Sequence, residues 1–342
     1  MRRTGGSKER GSMCVNKKKR SVSRELIGAG ICIASMFIVI LLLPVLHKGG
    51  THVQHPMHYR ANKKLHVLKE RVVPDMQEIE RGFAERQIQY LDALFMVQNQ
   101  AHGLLNWYHQ EIVDWGKTHQ YHDQYNKQTY QPDYEYSQAE GSPLDGADVV
   151  KSAHTINDYQ TAIKLITTNF MHLQAMEADY ADKTSWKHSH ATDLQLIQYH
   201  HLSRRVIVIS FIEQACRVYQ DGKLVKAFLI TSGRFNDPSP VGLWHISRRR
   251  WHTIFKSRVP VGSPNWYPDT PINYAMEYRT GGYYLHDSWW RAYYGPGTNF
   301  PHYDPYGEEF SGSGSHGCIN LSLEDAAWLY ANTAYGTTVV TY

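Results

Sequence analysis

The feature that most constrains the fold is a change of sequence texture near residue 204. From there to the carboxyl end, β-branched and aromatic residues recur in short runs, beginning with residues 205–212, and clusters of Gly, Pro and Asn separate the runs. Such runs predict β-strands bounded by turns. Asp221-Gly222 lies between two of them, and this dipeptide favours a tight hairpin turn with positive φ. Residues 204–342 are therefore predicted to form a mainly β domain.

This β domain is predicted to contain several more short strands and one helix. Further strands are expected at residues 242–246, 274–278, 283–286 and 337–341. A helix is expected from Ser322 to Asn332, because Ser322 is a favourable N-cap and acidic residues occupy the first turn. Gly336 lies just beyond the end of this helix, where a residue with positive φ is common.

The residues before 204 have a helical pattern. Apolar residues recur at steps of three and four from residue 72 to 115, and two series spaced by seven run through residues 149–180. Turn-forming residues between 132 and 146 separate the two segments and permit a reversal. We therefore predict an α-helical hairpin or coiled-coil region at residues 66–180 that serves as a spacer. Self-association or binding of a partner through this region is the alternative.

An uncharged stretch of 21 residues, 26–46, precedes the helical region. A helix of that length spans the roughly 30 Å hydrocarbon core, whereas the apolar part of a cleaved signal peptide has about 7–15 residues. Basic residues before it indicate a cytoplasmic side. We predict a basic cytoplasmic tail (1–25), a single transmembrane helix (26–46), an extracellular helical spacer (47–200) and an extracellular β domain (204–342).

Charge argues against a nucleic-acid partner. Residues 1–25 carry nine Lys or Arg and two Glu, so their formal net charge is higher than the +4 of the whole chain. The remainder of the chain is therefore mildly acidic. A basic face for nucleic acid is therefore not expected. The histidines at positions 52, 55, 58 and 66 match no common metal-ligand spacing, and no metal site is predicted there.

The four cysteines divide between the two sides of the predicted membrane topology. Cys14 and Cys32 fall in the tail and the anchor, which leaves Cys216 and Cys318 outside. An oxidising exterior would permit a disulfide between these two. A domain of this size does not need such a cross-link, and Cys318 lies in a sequence that favours a free thiol. We expect both cysteines to be reduced.

The sequence around Cys318 has features of a nucleophile. His316 lies two residues before it, and Gly317 between them permits a tight turn that exposes backbone N–H groups to an oxyanion. A second histidine, His286, is followed directly by Asp287 at the end of a predicted strand. A base near the thiol would promote formation of the thiolate. The residues alone leave three interpretations open: nucleophilic catalysis, a metal site without a convincing fourth ligand, and structural residues.

Two segments resemble a known family. The run His-Asp-Ser-Trp-Trp-Arg at residues 286–291, followed by Ser-His-Gly-Cys-Ile-Asn at residues 315–320, is similar to the motif of the L,D-transpeptidase (YkuD-type) catalytic domain. The likeness extends over residues 204–342 and includes Gln214, residues 231–233 and residues 239–244. It implies a YkuD-like β-sandwich or barrel with one short helix, and a cysteine acyltransferase that needs neither a cofactor nor a metal.

The resemblance also implies that the β domain lies on the cell-wall side of a single-pass bacterial membrane protein, and it implies a substrate and roles for individual residues. Cys318 would attack the carbonyl of the third residue of a peptidoglycan stem tetrapeptide, release the terminal D-alanine, and pass the acyl group to a neighbouring stem. His286 would be the base, Asp287 an orienting group, and His316 and Gly317 part of the surroundings of the cysteine. The substrate-binding positions implied by the resemblance are Gly281, Gly282, Ser315 and Asn320.

Alternatives to cross-linking are hydrolysis of the same bond by an L,D-carboxypeptidase, a sortase-like transpeptidase, and a non-catalytic wall-binding protein. A sortase-like enzyme would lack the Ser-His-Gly-Cys run. One departure from the family pattern is the spacing of 28 residues between His286 and Ser315, longer than is usual. The extra residues, 293–312, are predicted to form a loop that either covers the active site or packs on the domain surface.

Overall fold

The computed structural model describes residues 76–137, 146–303, 309–310 and 314–342. Residues 73–342 form one compact unit that contains both helices and strands. The helices are α1 (Met76–Thr118), α2 (Tyr134–Ser137), α3 (Ala147–Ser152), α4 (Ile156–Ala181), α5 (Ala191–Tyr199) and α6 (Leu323–Asn332). A short hairpin of β1 (Tyr121–His122) and β2 (Thr129–Tyr130) lies between α1 and α2.

The helical region is present, but its two long helices do not form the predicted antiparallel hairpin. Ring contacts pair residue 102 with 159, 107 with 170 and 115 with 180. Because the numbers rise together, α1 and α4 run parallel. The connecting segment, which contains β1, β2, α2 and α3, carries the chain back along the length of the helices. The turn-forming residues between 132 and 146 indicate a break in the helix but do not show this return path.

The remaining strands form two main sheets and one small hairpin. The strands are β3 (Arg205–Ser210), β4 (Ala215–Gln220), β5 (Lys223–Leu229), β6 (Gly242–His245), β7 (Arg248–Phe255), β8 (Thr270–Arg279), β9 (Tyr283–Asp287), β10 (His302–Tyr303), β11 (Glu309–Phe310), β12 (Ile319–Leu321) and β13 (Thr338–Thr341). One sheet has the order β5-β4-β3-β13-β6 and the other β12-β9-β8-β7, while β10 pairs with β11. The mainly β domain predicted from the sequence is thus present.

Local sequence signals explain several of these elements. Asp221 and Gly222 both have positive φ, 50° and 75°, and connect β4 to β5 as the hairpin prediction requires. Ser322 caps α6 by accepting a hydrogen bond from the backbone N–H of Asp325 at 3.0 Å. Strand β7 was not predicted, because its first residues, Arg-Arg-Arg, lack the apolar alternation of a half-buried strand.

The five-stranded sheet is covered on both faces. Val206 and Val208 of β3 belong to a core shared with α1, α4 and α5. Ile207 and Ile209 point to the opposite face and belong to the core between the sheets and α6. This two-sided burial explains why β3 is an uninterrupted apolar run. The helical region and the β domain therefore share one of the two large cores.

A buried ionic cluster joins the helices to this sheet. The Arg217 guanidinium, on β4, donates from Nε to Asp193 Oδ2 of α5 at 2.5 Å and from Nη2 to the Tyr342 hydroxyl at 3.0 Å. Glu213 accepts from Nη1 of the same guanidinium. Arg217, Asp193 and Tyr342 are fully buried, so each charge depends on its partners for stabilisation.

The predicted membrane localisation is contradicted. Throughout the part of the chain that the structure describes, no helix is both long enough and apolar enough to cross a bilayer. The segment that carried the prediction, residues 26–46, lies outside the described residues, as do the basic tail and the histidines at 52–66. The expectation of free cysteines is confirmed for Cys216 and Cys318.

The long segment after His286 packs away from the cysteine in its described part. Thr298 hydrogen-bonds Thr231 through their hydroxyls at 2.7 Å, and Asn299 donates to the Tyr134 hydroxyl at 2.9 Å. The ring of Phe300 stacks on Tyr121 with centroids 4.3 Å apart. Residues 293–303 therefore connect the β domain to the segment between α1 and α4, which agrees with packing on the domain surface.

Candidate active site

A cavity of about 760 Å³ lies against the four-stranded sheet. Of the nine site residues expected from the sequence, seven line it: Gly281, Gly282, His286, Ser315, His316, Cys318 and Asn320. The other two, Asp287 and Gly317, lie next to lining residues in the chain. The fold thus brings together the two motif segments, although 28 residues separate His286 from Ser315 in the sequence.

Strand register explains how the two segments meet. β12 runs parallel to β9, with Asn320 opposite His286. On the other side of β9, the antiparallel strand β8 places Ala275 opposite His286. Cys318 immediately precedes β12, two residues before Asn320, so its side chain emerges on the same face of the sheet. The nucleophile candidate and the base candidate therefore lie on neighbouring strands and face the same cavity.

A chain of hydrogen bonds fixes the orientation and tautomer of His286. The Arg291 guanidinium donates from Nε to Asn320 Oδ1 at 2.8 Å, which leaves the Asn320 amide N–H to donate to His286 Nε2 at 3.1 Å. His286 Nε2 therefore carries a lone pair. The other ring nitrogen, Nδ1, carries the proton and donates to the backbone carbonyl of Asp287 at 2.8 Å. This is the neutral tautomer that a general base requires.

Burial keeps His286 neutral. Its side chain is 4% exposed, and loss of hydration lowers its pKa to about 4. The hydrogen bond to the Asp287 carbonyl and the Asp287 charge oppose this shift, while the Arg291 charge adds to it. At neutral pH the ring is therefore unprotonated and can accept a proton.

Asp287 takes a different role from the expected one. Its carboxylate accepts hydrogen bonds from the backbone N–H groups of Asn273 and Tyr274, at 2.9 and 2.6 Å, and from the Asn273 side-chain amide at 3.0 Å. It is fully buried. The carboxylate thus holds β8 against β9, and the backbone carbonyl of Asp287, rather than its side chain, orients the histidine.

Cys318 rests as a neutral thiol. Its Sγ donates to the Gly282 carbonyl oxygen at 3.4 Å. Desolvation raises the thiol pKa to about 11; a hydrogen bond from the Tyr284 backbone opposes the shift, and the Glu277 charge adds to it. The resting thiol is therefore not paired as a thiolate with His286. The thiol must therefore lose its proton before or during any nucleophilic attack by the sulfur.

The backbone around the cysteine is held by neighbouring strands and turns. The Ser239 hydroxyl donates to the Gly317 carbonyl at 2.9 Å, and the Ser315 hydroxyl donates to the Cys318 carbonyl. Gly317 has a φ of 96°, and a Cβ at this position would lie 2.8 Å from Cε1 of Tyr283. Only glycine fits without displacement of that ring. The turn before Cys318 is therefore rigid.

His316 has an exposed side chain and does not share the hydrogen-bond chain of His286. Its ring centroid lies 5.6 Å from that of Tyr267. Desolvation lowers its pKa, the Arg234 and Arg291 charges lower it further, and the Asp237 charge opposes them. His316 is therefore placed to contact a ligand in the cavity through an exposed ring, whereas His286 is a buried part of the cavity wall.

The two glycines before β9 form part of the cavity wall. Gly281 and Gly282 have φ values of 103° and 101°, which side chains rarely adopt. The Gly282 carbonyl accepts the thiol hydrogen bond of Cys318. The backbone of Gly282 thus holds the resting thiol of Cys318. Because neither glycine has a side chain, the cavity stays open next to the sulfur.

Arg291 is the important site residue that the sequence did not identify as functional. It belongs to the motif segment 286–291, but its contact with Asn320 crosses 29 positions. Phe255, on the unpredicted strand β7, is a second such residue, with its ring centroid 5.1 Å from that of His286. The available signal for Arg291 was its place in the same motif segment as His286. The sequence offers no such signal for Phe255.

Comparison with known proteins supports the assignment of the domain. Residues 204–341 match the family model of the L,D-transpeptidase (YkuD) catalytic domain. L,D-transpeptidase 2 of Mycobacterium tuberculosis is 28% identical over 122 residues, which cover 35% of this chain and 26% of the relative. Probable L,D-transpeptidase 3 of the same organism is 30% identical over 111 residues, 32% of this chain and 35% of the relative. The chain thus spans about a quarter to a third of the length of these relatives.

Solved structures of the same kind are also similar. The catalytic domain of Enterococcus faecium L,D-transpeptidase is 27% identical, with a TM-score of 0.34, and covers 42% of this chain and 99% of that one. L,D-transpeptidase 3 of Mycobacterium tuberculosis is 23% identical, with a TM-score of 0.33, and the match covers 41% of this chain and 62% of that one. On the match to the family model, residues 204–341 of this chain are similar to L,D-transpeptidase (YkuD) catalytic domains.

Proposed function

We propose that this protein is a peptidoglycan L,D-transpeptidase that uses Cys318 as its nucleophile and His286 as its base. The observation that carries the proposal is the hydrogen-bond chain from Arg291 through Asn320 to His286 and the Asp287 carbonyl. That chain presents a neutral imidazole on the same cavity face as a thiol, and the Nε2 lone pair of the imidazole is held at rest by the Asn320 amide N–H. Similarity to the L,D-transpeptidase family supplies the reaction class.

In the first half-reaction, the Asn320 amide releases His286 Nε2, which takes the proton of Cys318 Sγ as the sulfur attacks the carbonyl carbon of the third stem residue. A C–S bond forms and the carbonyl becomes an oxyanion, to which the N–H groups of Gly317 and Cys318 donate. The oxyanion collapses, the C–N bond to D-alanine breaks, and the proton on His286 passes to the departing nitrogen. The products are a thioester on Cys318 and free D-alanine.

In the second half-reaction, an amine of a neighbouring stem peptide attacks the thioester. His286 takes a proton from the amine, the C–N bond of the cross-link forms, and the C–S bond breaks. The sulfur leaves as a thiolate and recovers its proton from His286. The enzyme returns to the neutral thiol and neutral imidazole seen at rest, so the cycle needs neither a cofactor nor an external oxidant.

The pKa values of Cys318 and His286 at rest set the free-energy cost of moving the proton from the thiol to the imidazole. A thiol pKa of about 11 and a histidine pKa of about 4 mean that a separate proton transfer would cost about 10 kcal/mol. That cost is below the barrier of roughly 17 kcal/mol for one turnover per second. The proton transfer is therefore compatible with turnover, while the resting cysteine remains almost entirely a thiol, which limits its oxidation.

The test is to incubate the full chain with disaccharide-tetrapeptides and to follow D-alanine and cross-linked dimer by mass spectrometry. The proposal predicts both products, and neither from Cys318→Ala. The matched control is Cys216→Ala, which alters a cysteine buried in the core between the sheets and keeps the activity. D-alanine with free tripeptide and no dimer would indicate the L,D-carboxypeptidase reaction instead. Undiminished D-alanine release from Cys318→Ala would refute the mechanism.

A further inference from the structure

The cavity beside Cys318 has an unbalanced charge. Among the described residues that line it, four arginines and one lysine contribute positive charge, and none is Asp or Glu. The cationic residues are Arg248, Arg250, Lys256, Arg258 and Arg291. The excess is local, because the chain as a whole carries a formal net charge of only +4. Such a cavity attracts anionic groups.

Three of the five cations already have partners. Arg248 Nε lies 3.5 Å from a carboxylate oxygen of Glu277, and Lys256 Nζ lies 3.0 Å from a carboxylate oxygen of Asp269. Arg291 holds Asn320 in the hydrogen-bond chain of His286. Arg250 and Arg258 form no ion pair within 4.0 Å with any carboxylate of the described residues. These two guanidinium groups are therefore available to a ligand.

Sheet register places Arg250 on the catalytic face. Arg250 on β7 pairs with Ala275 on β8, and Ala275 pairs with His286 on β9. Directly paired residues point to the same face of a sheet, so Arg250 and His286 face the same cavity, about 10 Å apart at their Cα atoms. The only side chain between them in this row is the methyl group of Ala275. Both residues line the same cavity.

Arg258 lies beside the glycine turn that precedes β9. A Cβ on Gly282 would lie 3.8 Å from Arg258 Nη2. The Gly282 carbonyl accepts the hydrogen bond of the Cys318 thiol. The guanidinium group thus lies beside the residue that holds the reacting sulfur.

We propose that Arg250 and Arg258 form a carboxylate-binding subsite for the acyl donor. The inference rests on the proposed function, since a donor cleaved before its terminal residue carries a free carboxylate three bonds from the attacked carbon. Side-chain carboxylates of the stem peptide are a second source of the same group. A guanidinium binds a carboxylate through two parallel charge-assisted hydrogen bonds, which are stronger than bonds to a neutral amide. The subsite selects donors in which the carboxylate is free.

The experiment compares three donors with the full chain. One disaccharide-tetrapeptide has all carboxylates free, one ends in D-alaninamide, and one has its side-chain carboxylates amidated. The unmodified donor is expected to have a kcat/KM at least about tenfold higher than one of the amidated donors. The amidated position that causes the loss identifies which carboxylate is bound. Equal kcat/KM for all three donors would overturn the subsite while leaving the proposed function intact.

Variants connect the selectivity to the two arginines. Arg250→Met and Arg258→Met are expected to lower kcat/KM for the free donor about tenfold and to bring the ratio between free and amidated donors towards one. The matched control is Lys223→Met, which removes an exposed cation from β5, outside the cavity. It is expected to leave both values unchanged. Retention of the full selectivity in both arginine variants would refute the assignment.

A binding measurement separates the subsite from the chemistry. Calorimetric titration of the Cys318→Ala chain measures affinity for the same three donors without turnover. Preferential binding of the free donor, lost in Arg250→Met and Arg258→Met, would support the subsite even if the unmodified chain released no D-alanine and the proposed function failed. Equal affinity for the free and amidated donors, with no turnover, would overturn both.

Discussion

The resting state of Cys318 leads to a prediction about its alkylation. A thiol pKa of about 11 means that the thiolate fraction is on the order of one in ten thousand at pH 7 and one in a hundred at pH 9. Since the thiolate is the nucleophile, alkylation of Cys318 by iodoacetamide should accelerate about 100-fold between these pH values. The measurement is mass-spectrometric quantification of the alkylated Cys318 peptide after timed treatment of the folded full chain.

Two controls accompany this measurement. Cys216 is fully buried, and desolvation raises its pKa well above the ordinary value, so it should stay unmodified until the chain unfolds. His286→Gln should leave the alkylation rate at pH 7 within about threefold, because the neutral histidine forms no ion pair with the resting thiol. The same variant should abolish turnover. A rate that is independent of pH between 6 and 8, and that falls in His286→Gln, would show a thiolate–imidazolium pair and refute the account of the resting state.

Three further predictions concern residues around the site and the core. Arg291→Met should lower kcat about tenfold. It should also shift the acidic limb of the pH–rate profile to higher pH, because the Arg291 charge helps to lower the His286 pKa to about 4. An unchanged profile would exclude this electrostatic effect on His286. Gly317→Ala should lower the free energy of unfolding by about 1–3 kcal/mol, measured with urea, and should abolish D-alanine release. The reason is that the φ of 96° and the ring of Tyr283 both disfavour a side chain at this position. Normal activity would contradict this prediction. Arg217→Met should cost about 3–5 kcal/mol by the same method, because buried carboxylates lose their partner; a loss below 1 kcal/mol would show that they are compensated otherwise.

The strands of the β domain were predictable because their signals are local. Asp221-Gly222 determines a turn, Ser322 caps a helix, and the run beginning at Arg205 is apolar on both faces because both faces are buried. Strand β7 was not predictable in the same way, since Arg248 and Arg250 face a cavity, where polar residues are tolerated. A functional surface therefore concealed a strand from pattern analysis.

Relations between distant segments were the least predictable. The parallel arrangement of α1 and α4 depends on a connection whose path has no periodic signal. Asp287 was expected to be an orienting group, and the sequence could not show that its backbone carbonyl, rather than its carboxylate, contacts His286. The contact between Arg291 and Asn320 follows from the register of β12 with β9, which only the folded sheet provides. The predicted membrane localisation rested on the uncharged stretch 26–46 and the basic residues before it, and it is contradicted.

The most direct test of the central claim is the mass of the full chain during turnover. Rapid quenching with a disaccharide-tetrapeptide should give an adduct equal to the donor minus D-alanine, and peptide mapping should locate it on Cys318. His286→Gln and Cys318→Ala should give no adduct. An adduct on another residue, or cross-linked product formed with no thioester on Cys318, would contradict the account.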